Sequence, residues 1–125
     1  MDSAVILVVD DEPHILDNLG DLLDLEGYVV QTATDGREAL DTLQHTRPHL
    51  ILCDMMMPHV DGWEVLRYVR ADDALRTVPF IFLTASAEPS AREQAHDEAA
   101  DDYITKPFRV DDLLDAVSDH LASAS

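Results

Sequence analysis

Three apolar runs in this chain each stop on a side chain able to hold a metal or a phosphate, and a fourth, shorter run stops on its only lysine. Val5-Ile6-Leu7-Val8-Val9 ends in Asp10-Asp11-Glu12, Leu50-Ile51-Leu52-Cys53 in Asp54, Phe80-Ile81-Phe82-Leu83 in Thr84, and Tyr103-Ile104-Thr105 in Lys106-Pro107. Continuous apolar runs are what parallel strands buried on both faces require. Open α/β sheets bind ligands just beyond the carboxyl ends of their strands. One pattern thus constrains both the fold and the place of the chemistry, a crevice shared by these polar groups.

Helical periodicity fills the intervals between the runs. Ile15, Leu19, Leu22 and Leu23 recur at helical spacing between Pro13 and Gly27, residues suited to the start and the end of a helix. Tyr28-Val29-Val30 reads as a short second strand. Asp35-Gly36 turns into a helix carrying Ala39, Leu40 and Leu43, which Arg47-Pro48 stops. A third helix from Gly62 to about Ala71 carries Val65, Leu66 and Val69, and a last one Val110, Leu113, Leu114, Val117 and Leu121. The stretch from Glu88 to Ala100 offers only alanines, Ala91 and Ala95 among them, as an apolar face, so a helix there buries little area and is loosely held. Strands alternating with helices predict an α/β, doubly wound parallel sheet of five strands built by right-handed crossovers.

The 125 residues, 46% of them hydrophobic, suffice for one domain over 1–125 with a full core and little left for a second. No apolar stretch approaches the ~18 residues of a membrane span, and Met1-Asp2-Ser3 has neither the basic nor the apolar region of a signal peptide. Cys53 is the single cysteine, so no internal disulfide forms; a reducing, cytoplasmic location is expected. A net charge of -18 opposes binding to nucleic acid or anionic membrane by electrostatics and points to partners that are basic or apolar at the contact.

Asp10, Asp11 and Asp54 at adjacent strand ends are too crowded to ionise together without a counter-charge. A hard divalent cation resolves that conflict, and magnesium commonly shares a few carboxylate oxygens with a phosphoryl group. Lys106 supplies a compact positive charge for a phosphate oxygen and Thr84 a hydroxyl. These parts suit phosphoryl transfer to a carboxylate, a reaction in which positioning and charge stabilisation supply most of the catalysis.

Asp10-Asp11, Asp54 followed by Met55-Met56-Met57-Pro58 and Asp61-Gly62-Trp63-Glu64, Thr84-Ala85 and Lys106-Pro107 together resemble the receiver domain of two-component response regulators, of the stand-alone kind found in chemotaxis and sporulation. Each motif is weak alone, but five in order at the right strand ends are specific. The resemblance covers essentially the whole chain. It implies the flavodoxin-like receiver fold, with strand order 2-1-3-4-5 and five helices.

By position, the resemblance implies that Asp54 accepts a phosphoryl group from a histidine kinase or a histidine phosphotransfer protein. Asp11, Asp54 and the backbone carbonyl of Met56 are the implied magnesium ligands, with Asp10 acting through water and Mn2+ as a substitute ion. Thr84, Ala85 and Lys106 are the implied phosphoryl-binding residues, and the Lys106-Pro107 bond is expected to be cis. Thr84 and Tyr103 are the implied switch: the hydroxyl moves to the phosphoryl oxygen, Tyr103 turns inward behind it, and the loosely held fourth helix shifts. Met56 and Ser86, two residues beyond Asp54 and Thr84, are implied by the same resemblance to tune attack of water on the aspartyl phosphate. The output is implied to run through a downstream protein target or a fused effector, with a phosphorylation-dependent homodimer as a further mode. The chain is therefore expected to act as a regulator that catalyses only its own phosphorylation and slow dephosphorylation.

Other readings fit less well. A haloacid-dehalogenase-like phosphatase needs a second carboxylate two residues after the nucleophile, where Met56 stands. A flavodoxin-like carrier needs a Gly- or Ser/Thr-rich loop after the first strand, where Asp10-Asp11-Glu12 stands. A binding module that works without phosphorylation is the strongest rival. Ala99-Ala100 precedes Asp101-Asp102-Tyr103 where the family commonly has Gly-Ala, so a left-handed helix ending at Ala99 costs about 1 kcal/mol.

The 26 acidic residues against eight basic ones resemble proteins adapted to high salt, where screening removes the self-repulsion of a crowded carboxylate surface; a GC-rich codon bias is the alternative source. Under the first reading the melting temperature rises with potassium chloride. Stability indifferent to salt in a thermal melt would remove it.

Overall fold

The computed structural model describes residues 3–85 and 88–124. Strands β1 (Val5–Val9), β2 (Val29–Ala33), β3 (Leu50–Asp54), β4 (Phe80–Thr84) and β5 (Asp102–Thr105) alternate with helices α1 (Pro13–Leu25), α2 (Gly36–Leu43), α3 (Gly62–Ala71), α4 (Pro89–Asp97) and α5 (Val110–Ala124). All neighbouring strands are parallel, in the order β2-β1-β3-β4-β5. The expected doubly wound, five-stranded sheet with order 2-1-3-4-5 is the one observed.

Strand side chains alternate between the two faces, and the core divides accordingly. Leu7, Val9, Ile51, Cys53, Phe80 and Phe82 pack with Val65, Leu66 and Val69 of α3 and with Ala39 and Leu43 of α2. Ile6, Val8, Leu50, Leu52, Ile81 and Leu83 pack with Leu16, Leu19 and Leu23 of α1 and with Leu113 and Val117 of α5. Every residue of β3 and β4 is buried, which is why those two runs contain no alternation. Charge divides with the layers. The exposed surfaces of α1 and α5 carry Asp17, Asp21, Asp24, Asp111, Asp112, Asp115 and Asp119, and neither helix contains Lys or Arg; Arg37, Arg67, Arg70 and Arg92 all belong to α2, α3 and α4.

Strand β2 runs to Ala33, three residues beyond the segment that apolar character marked out. Gln31, Thr32 and Ala33 continue the ladder against Leu7, Val8 and Val9, and an edge strand tolerates polar residues because part of it stays in water. Helix α4 is shorter than 88–100 and buries only Ala95. Its far end is held by polar links to α3: Arg67 forms a forked pair with Glu98 at 2.7 and 3.1 Å, and Arg70 donates to the Ala99 carbonyl at 2.9 Å and to Asp101 at 2.8 Å.

Two close approaches set the loops around the crevice. Asp61 caps α3 by accepting from the Glu64 N–H at 3.1 Å, and a Cβ on Gly62 would collide with the Asp54 carbonyl oxygen. Glycine there lets α3 start directly behind the end of β3. Helices α1 and α4 end in the same hydrogen-bonded motif: Tyr28 and Gly27 donate back to Leu23 and Asp24, as Ala100 and Ala99 do to Ala95 and His96. The motif needs a left-handed residue, which is Gly27 at φ 92° in one helix and Ala99 at φ 67° in the other. Replacement Ala99→Gly is therefore expected to stabilise the fold by about 1 kcal/mol, read from urea unfolding midpoints. An unchanged or lowered midpoint would contradict the strain.

Candidate functional site

The register brings the polar strand ends together. Val9 pairs with Cys53, so Asp10 and Asp54 lie side by side one residue further on; Thr84 pairs with Thr105, which places Lys106 just past it. The Lys106 N–H donates to the Thr84 carbonyl at 2.7 Å, and the Lys106-Pro107 peptide bond is cis. From this turn the Lys106 side chain reaches back across the sheet. Its Nζ lies 2.8 Å from Asp10 Oδ2 and 3.7 Å from Asp54 Oδ2, so the ammonium is bonded to the first acid and within attraction of the second.

Asp10 is fully buried and Asp54 is 6% exposed. Burial of charge is tolerated where partners replace water. Asp10 Oδ1 accepts from the Glu12 N–H at 2.9 Å while Oδ2 takes Lys106. Asp54 Oδ1 has the Met56 N–H at 3.4 Å, a long bond that leaves its oxygens less satisfied. Burial pushes the Asp54 carboxyl up to about 6; Lys106 and the Met56 N–H act against that rise, and Asp10 and Asp11 add to it. Burial pulls the Lys106 ammonium down, but its bond to Asp10 and the charges of Asp54 and Asp10 outweigh this and raise it.

These groups line a cleft of about 680 Å³ bounded by Asp11, Glu12, Asp54, Met56, Thr84, Ala85, Glu88 and Lys106. Asp10, Asp11 and Asp54 each offer a carboxylate oxygen, all within 4.8 Å of one another. Hard oxygen donors crowded in this way fit magnesium, and the space beside them fits a phosphoryl group. The set can bind an anion through Lys106 and Thr84 on one side and a divalent cation on the other, with the Asp54 oxygens between.

The remaining residues fall as follows. Thr84 is buried at 1% exposure, and Ala85 is exposed at the cleft wall. Met56 is 68% exposed at the mouth. Ser86 lies outside the described residues. Tyr103 is already buried, at 6% exposure, in the core layer that faces α3 and α4, whereas the switch reading has it turn inward only when a phosphoryl group arrives. Cys53 is a core residue whose thiol is raised by burial and by Asp54, which fits the absence of an assigned role. Trp63 is half-buried with its ring centroid 4.8 Å from that of Phe82. Glu88 was not singled out by motif reading, although its place in the loop after β4 marks it by the same strand-end rule that selected Thr84.

Residues 6–118 match the family model described as the response regulator receiver domain. The chain is 44% identical over 111 residues to response regulator MprA of Mycolicibacterium vanbaalenii, an alignment covering 87% of this chain and 46% of that protein. It therefore spans about half the length of the curated relatives it matches. Among solved structures it resembles the signal receiver domain of a signal transduction histidine kinase from Syntrophus aciditrophicus, with TM-score 0.89, 36% identity and coverage of 97% of this chain and 92% of that one. It also resembles the receiver domain of sensor histidine kinase PA1611 from Pseudomonas aeruginosa, solved with a magnesium ion in its active site cleft, with TM-score 0.88, 31% identity and coverage of 97% and 99%. With the acid cluster, the cross-sheet lysine and this fold in one molecule, the chain belongs to the response regulator receiver domain family, the phosphoacceptor component of two-component signalling.

Proposed function

We propose that Asp54 is the residue that accepts the phosphoryl group, and that it takes it from a phosphohistidine on a histidine kinase or histidine phosphotransfer protein. The observation that carries this reading is the meeting of Asp10, Asp11 and Asp54 within 4.8 Å and of Lys106 Nζ 3.7 Å from Asp54 Oδ2 in one open cleft. An Asp54 oxygen attacks phosphorus while the phosphorus–nitrogen bond breaks, and the electron pair returns to the imidazole of the donor. Lys106 shifts from Asp10 toward the incoming oxygens, and Thr84 donates its hydroxyl to another. Asp11, Asp54 and the Met56 carbonyl would hold Mg2+, with Asp10 acting through water and Mn2+ able to replace it; the ion would supply positive charge to offset the carboxylate crowding and the charge on the phosphoryl oxygens.

The domain then acts as a switch that promotes only its own phosphorylation and slow dephosphorylation. Thr84, Tyr103 and α4 carry the change to an output face, read by a downstream protein target, by an effector fused to the domain, or by a second copy in a phosphorylation-dependent homodimer. Among the described residues no helix is long and apolar enough to cross a membrane, and we assign the domain to the cytoplasm. Direct nucleic-acid binding is not part of its role, because its charge of -18 repels phosphate backbones.

Incubation with acetyl phosphate and magnesium is expected to give a labile, hydroxylamine-sensitive adduct on the wild type and none on Asp54→Ala, read by intact mass. A wild type that stays unmodified under both acetyl phosphate and a panel of kinases would favour the phosphorylation-independent binding module. Met56 presents a thioether at the mouth of the cleft, which orients an attacking water poorly, so the aspartyl phosphate is expected to outlive that of Met56→Asn by several-fold. Equal lifetimes in a phosphate-release assay would refute this role for Met56.

A further inference from the structure

Arg92 lies on the exposed side of α4, and its guanidinium carbon stands 4.8 Å from the centroid of the Tyr103 ring. The ring is buried against the core, so the arginine closes over it from outside. Among the described residues, α4 otherwise rests on the core through the buried Ala95 and the partly buried Ala91. Ala95 is its single buried residue, and the polar ties through Arg67 and Arg70 reach only residues 98, 99 and 101 beyond its far end. The near end starts after Glu88, which lines the phosphoryl cleft. In a chain with 26 acidic residues, this guanidinium is seated on an aromatic face, for which a planar, weakly hydrated cation is well suited.

We infer that Arg92 is a positioning residue for phosphoryl binding: by capping the Tyr103 ring from α4 it holds that ring inward before any phosphoryl group arrives, and so raises the affinity of the Asp54 cleft. This rests on the proposed role of Asp54. Tyr103 on β5 pairs with Phe82, two residues before Thr84 on β4, so the ring and the hydroxyl lie on adjoining strands. When Thr84 is drawn toward a phosphoryl group, the volume behind it favours the inward ring, and the two events support each other. Apparent affinity falls by the fraction of molecules that are binding-competent, and a contact that raises this fraction raises affinity by the same factor. A partly exposed cation–π contact supports an effect of roughly two- to fivefold.

The test is the affinity for beryllofluoride in the presence of magnesium, followed through Trp63 fluorescence, in the wild type, Arg92→Gln, Arg92→Lys, Tyr103→Phe, Tyr103→Leu and the combinations with Arg92→Gln. Arg92→Gln is expected to weaken binding roughly two- to fivefold, and Arg92→Lys by less. Its effect should persist on Tyr103→Phe, which keeps the aromatic face, and vanish on Tyr103→Leu. Equal affinity in wild type and Arg92→Gln overturns the inference. So does an undiminished loss on Tyr103→Leu, which would assign the effect to charge attraction of the anion alone. Arg92 is exposed on α4 and outside both core clusters, so the fold of Arg92→Gln is expected to match the wild type by far-UV circular dichroism. Beryllofluoride that fails to bind the wild type would remove the role of Asp54 and this inference with it, whereas binding that ignores Arg92 removes only the latter.

Discussion

The arrangement of this molecule depends on a conflict of like charges. Asp10, Asp11 and Asp54 meet at the carboxyl edge of the sheet with oxygens within 4.8 Å, and a single ammonium, that of Lys106, relieves them from the far side of β4. The relief is unequal: Asp10 has a direct bond at 2.8 Å, and Asp54 is left with the longer 3.7 Å approach and a raised pKa. A carboxylate that is crowded, half-satisfied and open to a cleft is suited to take up a cation and an electrophile. The fold's task is to keep that tension in place, and each neighbouring element contributes to doing so.

The parallel register supplies the geometry, because strands in step bring residues distant in sequence to one edge. Gly62 lets α3 begin against the Asp54 carbonyl. The turn through Lys106 and Pro107 is fixed by the bond from the Lys106 N–H to Thr84. These backbone constraints are rigid. Helix α4 is the exception, since among the described residues it is held by the buried Ala95, the partly buried Ala91, the Arg92 contact with Tyr103 and polar ties at its far end. The chemistry therefore sits on stiff elements, and the element best able to move adjoins it.

Most of this was legible in the residues. The apolar runs of β1, β3 and β4 are continuous because both faces are covered, and their ends named Asp10, Asp54 and Thr84. Helix boundaries at Pro13 and Gly27 followed from cap chemistry. What escaped had physical reasons. Gln31 and Thr32 hid the length of β2, because an edge strand need not be apolar. Glu88 hid in a loop that carries no periodic signal. The contact between Arg92 and Tyr103 joins residues that share no motif, and the buried state of Tyr103 depends on packing that strand periodicity does not record. The left-handed turn at Ala99, φ 67°, was marked only by the resemblance to a family with Gly-Ala at this place, because alanine itself carries no signal for that conformation.

The uneven sharing of charge between the two layers has a consequence for encounters. With Asp the only Asp, Glu, Lys or Arg in α1 and α5, and Arg37, Arg67, Arg70 and Arg92 set among Glu38, Asp41, Glu64, Glu93 and Asp97 on α2, α3 and α4, the domain carries its negative charge unevenly across the thickness of its sheet. A cationic protein approaching in dilute salt would feel a torque before any atoms touched, turning the aspartate side toward it and the arginine side away. In concentrated salt that torque shrinks to within a few ångströms of the surface. Recognition would then pass from long-range orientation to the fit of the surfaces themselves.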